Sequence, residues 1–153
     1  MTARLRRARN SRPALGIALL LTAFATAAWI ADLQAQPWPV LKQGMWEFVR
    51  TMQPPGGGAP KSVTSKRCVD PAADMQRQNA TLAKSGCKIS EPVKSGNTYT
   101  FTAACKIMGM TSNTKSTLVV ESDSAYTLTV EGTTDGEPTK ETMKARRTGE
   151  CSK

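Results

Sequence analysis

The chain has 153 residues, with 21 Lys and Arg against 12 Asp and Glu, four Cys and no His. This length fits a single domain. Without His, the chain contains no Ser-His-Asp triad, no Cys-His dyad and no His-based zinc site. The composition therefore excludes the commonest hydrolase and zinc sites and leaves the function open.

The first 35 residues have the pattern of a secretory signal. Residues 1–13 carry five Arg and no acidic residue, and the segment 14–31 carries no charge. A basic start, an apolar stretch and a small residue at the end are typical of a signal that is cleaved on export. We expect cleavage after Ala35, with Ala27 and Ala31 as alternatives. An uncleaved anchor is the competing interpretation, because 14–31 reaches the lower limit of a membrane span.

Export leaves residues 36–153 as one mature domain in the periplasm, or secreted, with no stable membrane span. Five of the 21 basic residues and one of the 12 acidic residues lie in residues 1–35, so the domain keeps a formal net charge of +5. Its basic residues are scattered rather than gathered with aromatic side chains, which argues against nucleic-acid binding.

Four cysteines lie in the exported part of the chain, at Cys68, Cys87, Cys105 and Cys151. An even number in a small exported domain predicts two disulfides. No Cys-x-x-Cys pair is present, which argues against a zinc site and against a thioredoxin-like redox site.

A turn at Ser95-Gly96-Asn97 selects the disulfide pairing. Gly and Asn tolerate positive φ and favour turns. A three-residue loop centred on Gly96 sets three opposed pairs, namely Cys87 with Cys105, Ile89 with Ala103 and Val93 with Tyr99. Opposed residues lie close enough to form a disulfide, so we predict Cys87–Cys105 and, by elimination, Cys68–Cys151. A two- or four-residue loop would shift this register by one.

The segment before the first cysteine predicts a β-hairpin. Apolar Trp46 and Phe48 alternate with polar side chains over residues 44–52, which is typical of a half-buried strand. Residues 54–60 are rich in Pro and Gly and predict a loop. Residues 62–68 form the second predicted strand.

A helix is predicted after this hairpin. Asp70 is suited to the N-cap and Pro71 to the first turn, and Gly86 ends the helix after about Lys84. Met75 and Leu82 form its one modest apolar stripe, so we expect the helix to cover the core from outside.

The remaining chain predicts a meander of hairpins. A turn about Asp123 pairs Val120 with Tyr126 and Leu118 with Leu128. A turn over residues 135–138 pairs Val130 with Met143 and Leu128 with Ala145. The predicted fold is mainly β, a small antiparallel β barrel or half-barrel of about seven strands with a lipocalin-like meander, one short helix and two disulfides. We expect the first and last strands to be neighbours, with one disulfide at each end.

Both ends of the mature domain resemble a known family. They are the opening Gly44-Met45-Trp46-Glu47 and the ending Ala145-Arg146-Arg147-Thr148-Gly149-Glu150-Cys151, with Cys68, Cys87 and Cys105 between them. The order of these motifs is similar to domain of unknown function family 3617, a family of exported bacterial proteins. The resemblance covers nearly all of the mature chain and implies export and an intact four-Cys pattern. It supplies no activity and no catalytic residue.

Gly44-x-Trp46 also resembles the opening of lipocalin-type barrels, in which the Trp closes the floor, often under an Arg of the last strand. Here that Arg is Arg146 or Arg147, through cation–π packing. The predicted ligand cavity is lined by Trp46, Phe48, Tyr99, Phe101, Leu118, Val120, Tyr126 and Leu128. The alternative is that these residues form a packed core. Aromatic residues are only 5% of the chain, which slightly favours a cavity or an open, shallow sheet.

No catalytic residue, cofactor site or metal site is expected. Five carboxylates are placed on strand exteriors and turns, at Glu121, Glu131, Glu137, Glu141 and Glu150. Met108 and Met110 suit Cu(I) but more commonly fill gaps. We therefore expect a non-enzymatic periplasmic domain of uncharacterised function that binds a lipophilic small molecule. The alternative is an envelope protein-interaction module, a stress factor or hydrolase inhibitor, that acts through its surface loops, above all the loop Gln53 to Lys61.

Overall fold

The computed structural model describes residues 38–54 and 58–152. The predicted signal and its cleavage site lie outside the described residues. Within them, the chain forms eight strands and one helix. In chain order these are β1 Gly44–Gln53, β2 Lys61–Val69, α1 Pro71–Lys84, β3 Cys87–Ile89, β4 Val93–Ser95, β5 Thr98–Ile107, β6 Met110–Ser122, β7 Ala125–Thr134 and β8 Glu137–Gly149.

All pairings in the sheet are antiparallel, and the strand order is β2-β1-β8-β7-β6-β5-β3, with β4 also pairing β5. The first and last strands are neighbours, as predicted. The described strands do not close into a barrel, because β2 and β3 lie at opposite ends of the sheet. The chain connects these two edges through α1 instead of pairing them.

The sheet has eight strands rather than seven because the predicted third strand is divided. Residues 90–92 separate β3 from β4, and Pro92 has no N–H to give to a ladder. The turn that follows is a two-residue turn at Gly96-Asn97, with Gly96 at φ +60°. Val93 therefore lies opposite Thr100, and the predicted pairing of Val93 with Tyr99 is wrong.

The two-residue turn does not disturb the cysteine register. Cys87 still lies opposite Cys105, and Ile89 opposite Ala103. Residues 90–92 place one extra residue on this side of the hairpin, as a β-bulge does. That extra residue compensates for the shorter turn. Cys87 and Cys105 are therefore opposite each other although the predicted three-residue loop is absent.

The other two predicted hairpins have different outcomes. Around Asp123, Leu118 faces Leu128 and Val120 faces Tyr126, as predicted. In the last hairpin Asp135 and Gly136 form a two-residue turn with φ values of +50° and +87°. The predicted pairs are wrong by two residues, since Leu128 faces Met143 and Val130 faces Glu141. A shift of two keeps every side chain on its predicted face.

The helix prediction is confirmed at both ends. The Asp70 carboxylate accepts a 3.1 Å hydrogen bond from the Ala73 amide, and Pro71 occupies the first turn. The helix ends at Lys84. Met75 packs against the core, so α1 does act as a cover. No helix of the described residues is long and apolar enough to cross a membrane.

The core fills one end of the sheet face that carries Trp46, which we call the inner face; the opposite side is the outer face. Its buried members are Leu41, Trp46, Phe48, Tyr99, Leu118, Tyr126 and Ala145. Trp46 is fully buried and donates a 2.9 Å hydrogen bond from Nε1 to the Lys42 carbonyl. This bond satisfies the only polar atom of the indole.

The structure contains both predicted cysteine pairs. Cys68 and Cys151 are bonded near the packed end of the sheet, with Cα atoms 5.4 Å apart. Cys87 and Cys105 are bonded near the opposite end, with Cα atoms 4.0 Å apart. The first pair links the edge strand β2 to the C-terminal segment, and the second links the other edge to β5.

Candidate functional site

A cavity of about 420 Å³ lies between the inner face of the sheet and α1. Its walls combine sheet and helix side chains. The apolar ones include Phe48, Phe101, Leu128 and Met143 from the strands and Met75 and Leu82 from the helix. Met75 and Leu82, the helix residues that the sequence predicts to cover the core, therefore form one wall of the cavity.

The predicted cavity residues are divided between this cavity and the packed core. Phe48, Phe101, Tyr126 and Leu128 line the cavity. Trp46, Tyr99 and Leu118 belong to the core and do not border it. Val120 borders a separate depression beside Trp38. The apolar face therefore contains both residues of the packed core and residues that border the cavity.

A change in side-chain size along the strands explains this division. In one row across the inner face, Leu118 lies between Tyr99 and Leu128 and is fully buried. Further along the same strands the facing residues become small, with Ser116 opposite Phe101 and Thr114 between Ala103 and Gly132. Small side chains leave the sheet unable to fill the space beneath α1, so the second half of the inner face is hollow.

Gly132 is required by the close approach of two strands. A Cβ added there would collide with the Asn113 carbonyl oxygen and would lie 2.7 Å from the Thr114 Cα. The absence of a side chain lets β6 and β7 pack together at the hollow end of the sheet.

An ion pair that the sequence did not predict lines the cavity. Arg50 Nη2 donates a 2.7 Å hydrogen bond to Glu141 Oε2, and Arg50 Nε donates to Glu141 Oε1. The hydrogen bonds that Glu141 accepts raise the pKa of Arg50 above its ordinary value. Glu141 was expected on the exterior, and that expectation is wrong. Glu141 lies opposite Val130 and shares the inner face with Met143 and Ala145, since alternate residues of a strand lie on one face.

A second charged group lies between β2 and α1. The Arg67 guanidinium lies 4.8 Å from the centroid of the Phe48 ring, and its Nη2 is 3.6 Å from Asp74 Oδ2. Asp74 also accepts 3.0 Å hydrogen bonds from Arg77 and Gln78. Each of the two arginines that line the cavity, Arg50 and Arg67, thus faces a carboxylate, and Arg67 shares its carboxylate with Arg77.

The expected lipocalin-type contact over Trp46 is absent from the described residues. Arg147 lies opposite Trp46 in the register, but its Nε donates a 2.8 Å bond to the Gln43 carbonyl. Arg146 points to the outer face and pairs with Glu47 at 2.7 Å. The cation–π contact forms instead between Arg67 and Phe48.

Two buried hydroxyl-bearing residues border the cavity. Ser116 is 6% exposed and Tyr126 is 3% exposed. Burial raises the pKa of Tyr126 to about 12, with a further increase from the Asp74 carboxylate and an opposing effect of Arg67. The Tyr126 hydroxyl therefore keeps its proton at neutral pH and is able to donate a hydrogen bond to a molecule in the cavity.

The described residues contain no free cysteine and no cluster of three or more His, Cys, Asp or Glu placed to hold a metal ion. Met108 is 97% exposed at the β5–β6 turn, so the Met108-Gly109-Met110 motif lies away from the cavity. The cavity offers apolar walls, hydroxyl groups and neutralised charges.

Comparison with known proteins gives a family but no activity. Neither the curated proteins nor the solved structures contain a match to this chain. The family described as "Protein of unknown function (DUF3617)" matches residues 41–151, from Leu41 in the core to the last cysteine. Since this match covers most of the chain, the protein belongs to the DUF3617 family.

Proposed function

We propose that this protein is an exported, non-catalytic binding domain that holds a lipophilic small molecule between its sheet and helix α1. The observation that carries the proposal is the cavity of about 420 Å³ bordered by Phe48, Phe101, Leu128 and Met75. This volume lies in the range of about 300–1,000 Å³ found for small-molecule sites, which are also mostly apolar.

The polar groups of the cavity indicate the charge and the hydrogen-bonding capacity of the ligand. Arg50 is neutralised by Glu141 and Arg67 faces Asp74, so an added charge would have no free counterion among them. Ser116 and Tyr126 supply hydroxyls that can be hydrogen-bonded. The favoured ligand is therefore an uncharged molecule with an apolar body and one hydrogen-bonding group.

The proposed compartment is the periplasm. The sequence pattern of residues 1–35 predicts export, and two bonded cysteine pairs are typical of proteins in oxidising compartments. A periplasmic domain of this kind would meet lipids and other apolar molecules of the cell envelope. The alternative, an interaction module acting through the loop after β1, involves residues 55–57, which lie outside the described residues, and it stays a prediction.

Native mass spectrometry of protein purified from the periplasm tests the proposal. We expect a second population heavier than the mature chain by one small molecule, which organic extraction removes and identifies. The matched control is Leu128→Trp, which fills part of the cavity and should lose the adduct. A single apo mass for the native protein, or an adduct that the variant retains, would refute the proposal.

A further inference from the structure

The two edges of the sheet differ in how they are protected. On one side, β3 and β4 are three residues long each, and residues 90–92 separate them. Short strands and a Pro are usual devices that prevent an edge from pairing with another chain. On the other side, β2 runs for nine residues and pairs only with β1 in the described part of the chain.

Strand β2 is regular and open to solvent. It pairs with β1 over nine consecutive residues without a bulge, and it contains no Pro or Gly. Eight of its nine residues are exposed, and Val69 is half-buried. The outer backbone N–H and C=O groups of such a strand form the row to which an extended segment can add as a further strand.

The charge of the two edges indicates which segment would fit. Strand β2 carries Lys61, Lys66 and Arg67 and no acidic residue, and the other edge carries Lys88 and Lys94. Pairing of either edge with a second copy of this chain would bring cations together. An extended segment with acidic side chains would instead be complementary to β2.

The lysines of β2 are accessible to a partner. Lys66 Nζ is 3.4 Å from Glu47 and its side chain is 61% exposed, while Arg67 is 3.6 Å from Asp74 and 50% exposed. The ammonium end of Lys66 is therefore open to solvent and can meet a further carboxylate, whereas Arg67 stays with Asp74 beside the cavity.

We propose that the free edge of β2 is a docking site where an acidic, extended segment of a partner protein adds to the sheet. Main-chain hydrogen bonds would supply the affinity, and Lys61 and Lys66 would select the acidic segment. The site is separate from the cavity proposal, because the outer backbone groups of β2 do not depend on what the cavity holds.

Fluorescence anisotropy with a labelled eight-residue peptide of Glu, Thr and Val, which carries Glu on both faces of the strand, tests this proposal. We expect saturable one-to-one binding, and no binding of the same peptide with N-methylated backbone amides. The variant Lys61→Glu/Lys66→Glu should weaken binding by about tenfold or more. The matched control Lys115→Glu/Lys144→Glu changes the net charge equally on the central strands β6 and β8, and it should change affinity by less than about twofold.

Three outcomes would overturn the proposal. Equal losses in the two variants would mean unspecific electrostatic attraction. Unchanged binding of the N-methylated peptide would exclude strand addition. Concentration-dependent dimers of the native protein that Lys61→Glu/Lys66→Glu abolishes would show that a second copy occupies β2. Circular dichroism of both variants checks the fold, which these exposed side chains should leave intact.

Discussion

Leu118 and Leu128 face each other across β6 and β7, yet Leu118 is fully buried in the core while Leu128 borders the cavity. Leu128 also packs against the core, so the boundary between the packed and the hollow part of the inner face lies at Leu128, next to Leu118. They are the same residue type in directly opposed positions, so they form a natural pair for testing that boundary.

Substitution of these two leucines should have unequal effects on stability. Leu118→Ala leaves a void in a filled region and should lower the free energy of unfolding by about 2–5 kcal/mol. Leu128→Trp extends into existing space and should change it by less than about 1.5 kcal/mol. Urea unfolding followed by tryptophan fluorescence and circular dichroism measures both. If Leu128→Trp lowers the free energy of unfolding as much as Leu118→Ala does, the cavity is filled in solution.

Gly132 should be intolerant of a methyl group. Its added Cβ would collide with the Asn113 carbonyl, and backbone atoms of a paired strand cannot move aside easily. We expect Gly132→Ala to destabilise the fold by about 1–3 kcal/mol. Gly149→Ala is the control, since a Cβ there meets no atom within 4 Å. Thermal unfolding compares the melting temperatures of the two variants, and equal values would contradict the close approach of β6 and β7 at Gly132.

Removal of either disulfide should lower the free energy of unfolding, and removal of Cys68–Cys151 should lower it more. Cys68 and Cys151 are 83 residues apart in sequence, and Cys87 and Cys105 are 18 apart. A cross-link stabilises mainly by restricting the unfolded chain, and more so for longer loops. The loop lengths give about 4.5 kcal/mol for Cys68–Cys151 and about 3 kcal/mol for Cys87–Cys105. Unfolding of the two double Cys→Ser variants in denaturant measures the order, and a reversed order would show that native-state contacts dominate.

The alkaline stability of the fold should depend on Tyr126. Burial raises its pKa in the folded state to about 12, above the ordinary value of 10.0. The neutral hydroxyl therefore stabilises the fold fully below pH 10, and this contribution is lost as the pH rises from about 10 to 12. The chain has two Tyr, so a tyrosinate absorbance titration of the wild type against Tyr126→Phe isolates this group. A difference titration with its midpoint at pH 10 would place the hydroxyl in water rather than in the cavity wall.

Which residues share a face was predictable from the sequence, whereas the register depended on the turn. The alternation of apolar side chains around Asp123 is unambiguous on both strands, and that register was predicted correctly. In the last hairpin a turn over residues 135–138 predicts one register, whereas the Asp135-Gly136 pair favours a two-residue turn and predicts another. The Asp-Gly signal favours the register in which Glu141 lies opposite Val130. Alternation with Met143 alone assigns Glu141 to the inner face, where Arg50 also lies.

The depth of the cavity was harder to predict than its face. Period-two alternation assigns Trp46, Phe48 and Leu118 to the inner face but does not say which of them meets a filled space. That depends on residues from different strands, such as Ser116 opposite Phe101, and on how closely α1 approaches the sheet. These long-range juxtapositions come from strand order and helix placement, for which a single sequence has no local signal.

Titration of the folded protein with N-phenyl-1-naphthylamine, an uncharged apolar fluorophore, tests the central claim most directly. We expect saturable one-to-one binding with enhanced fluorescence, loss of that binding in Leu128→Trp, and unchanged binding in Thr117→Trp, which places the same side chain on the outer face. Fluorescence that does not saturate, or that is the same in both variants, would contradict a binding cavity between the sheet and α1.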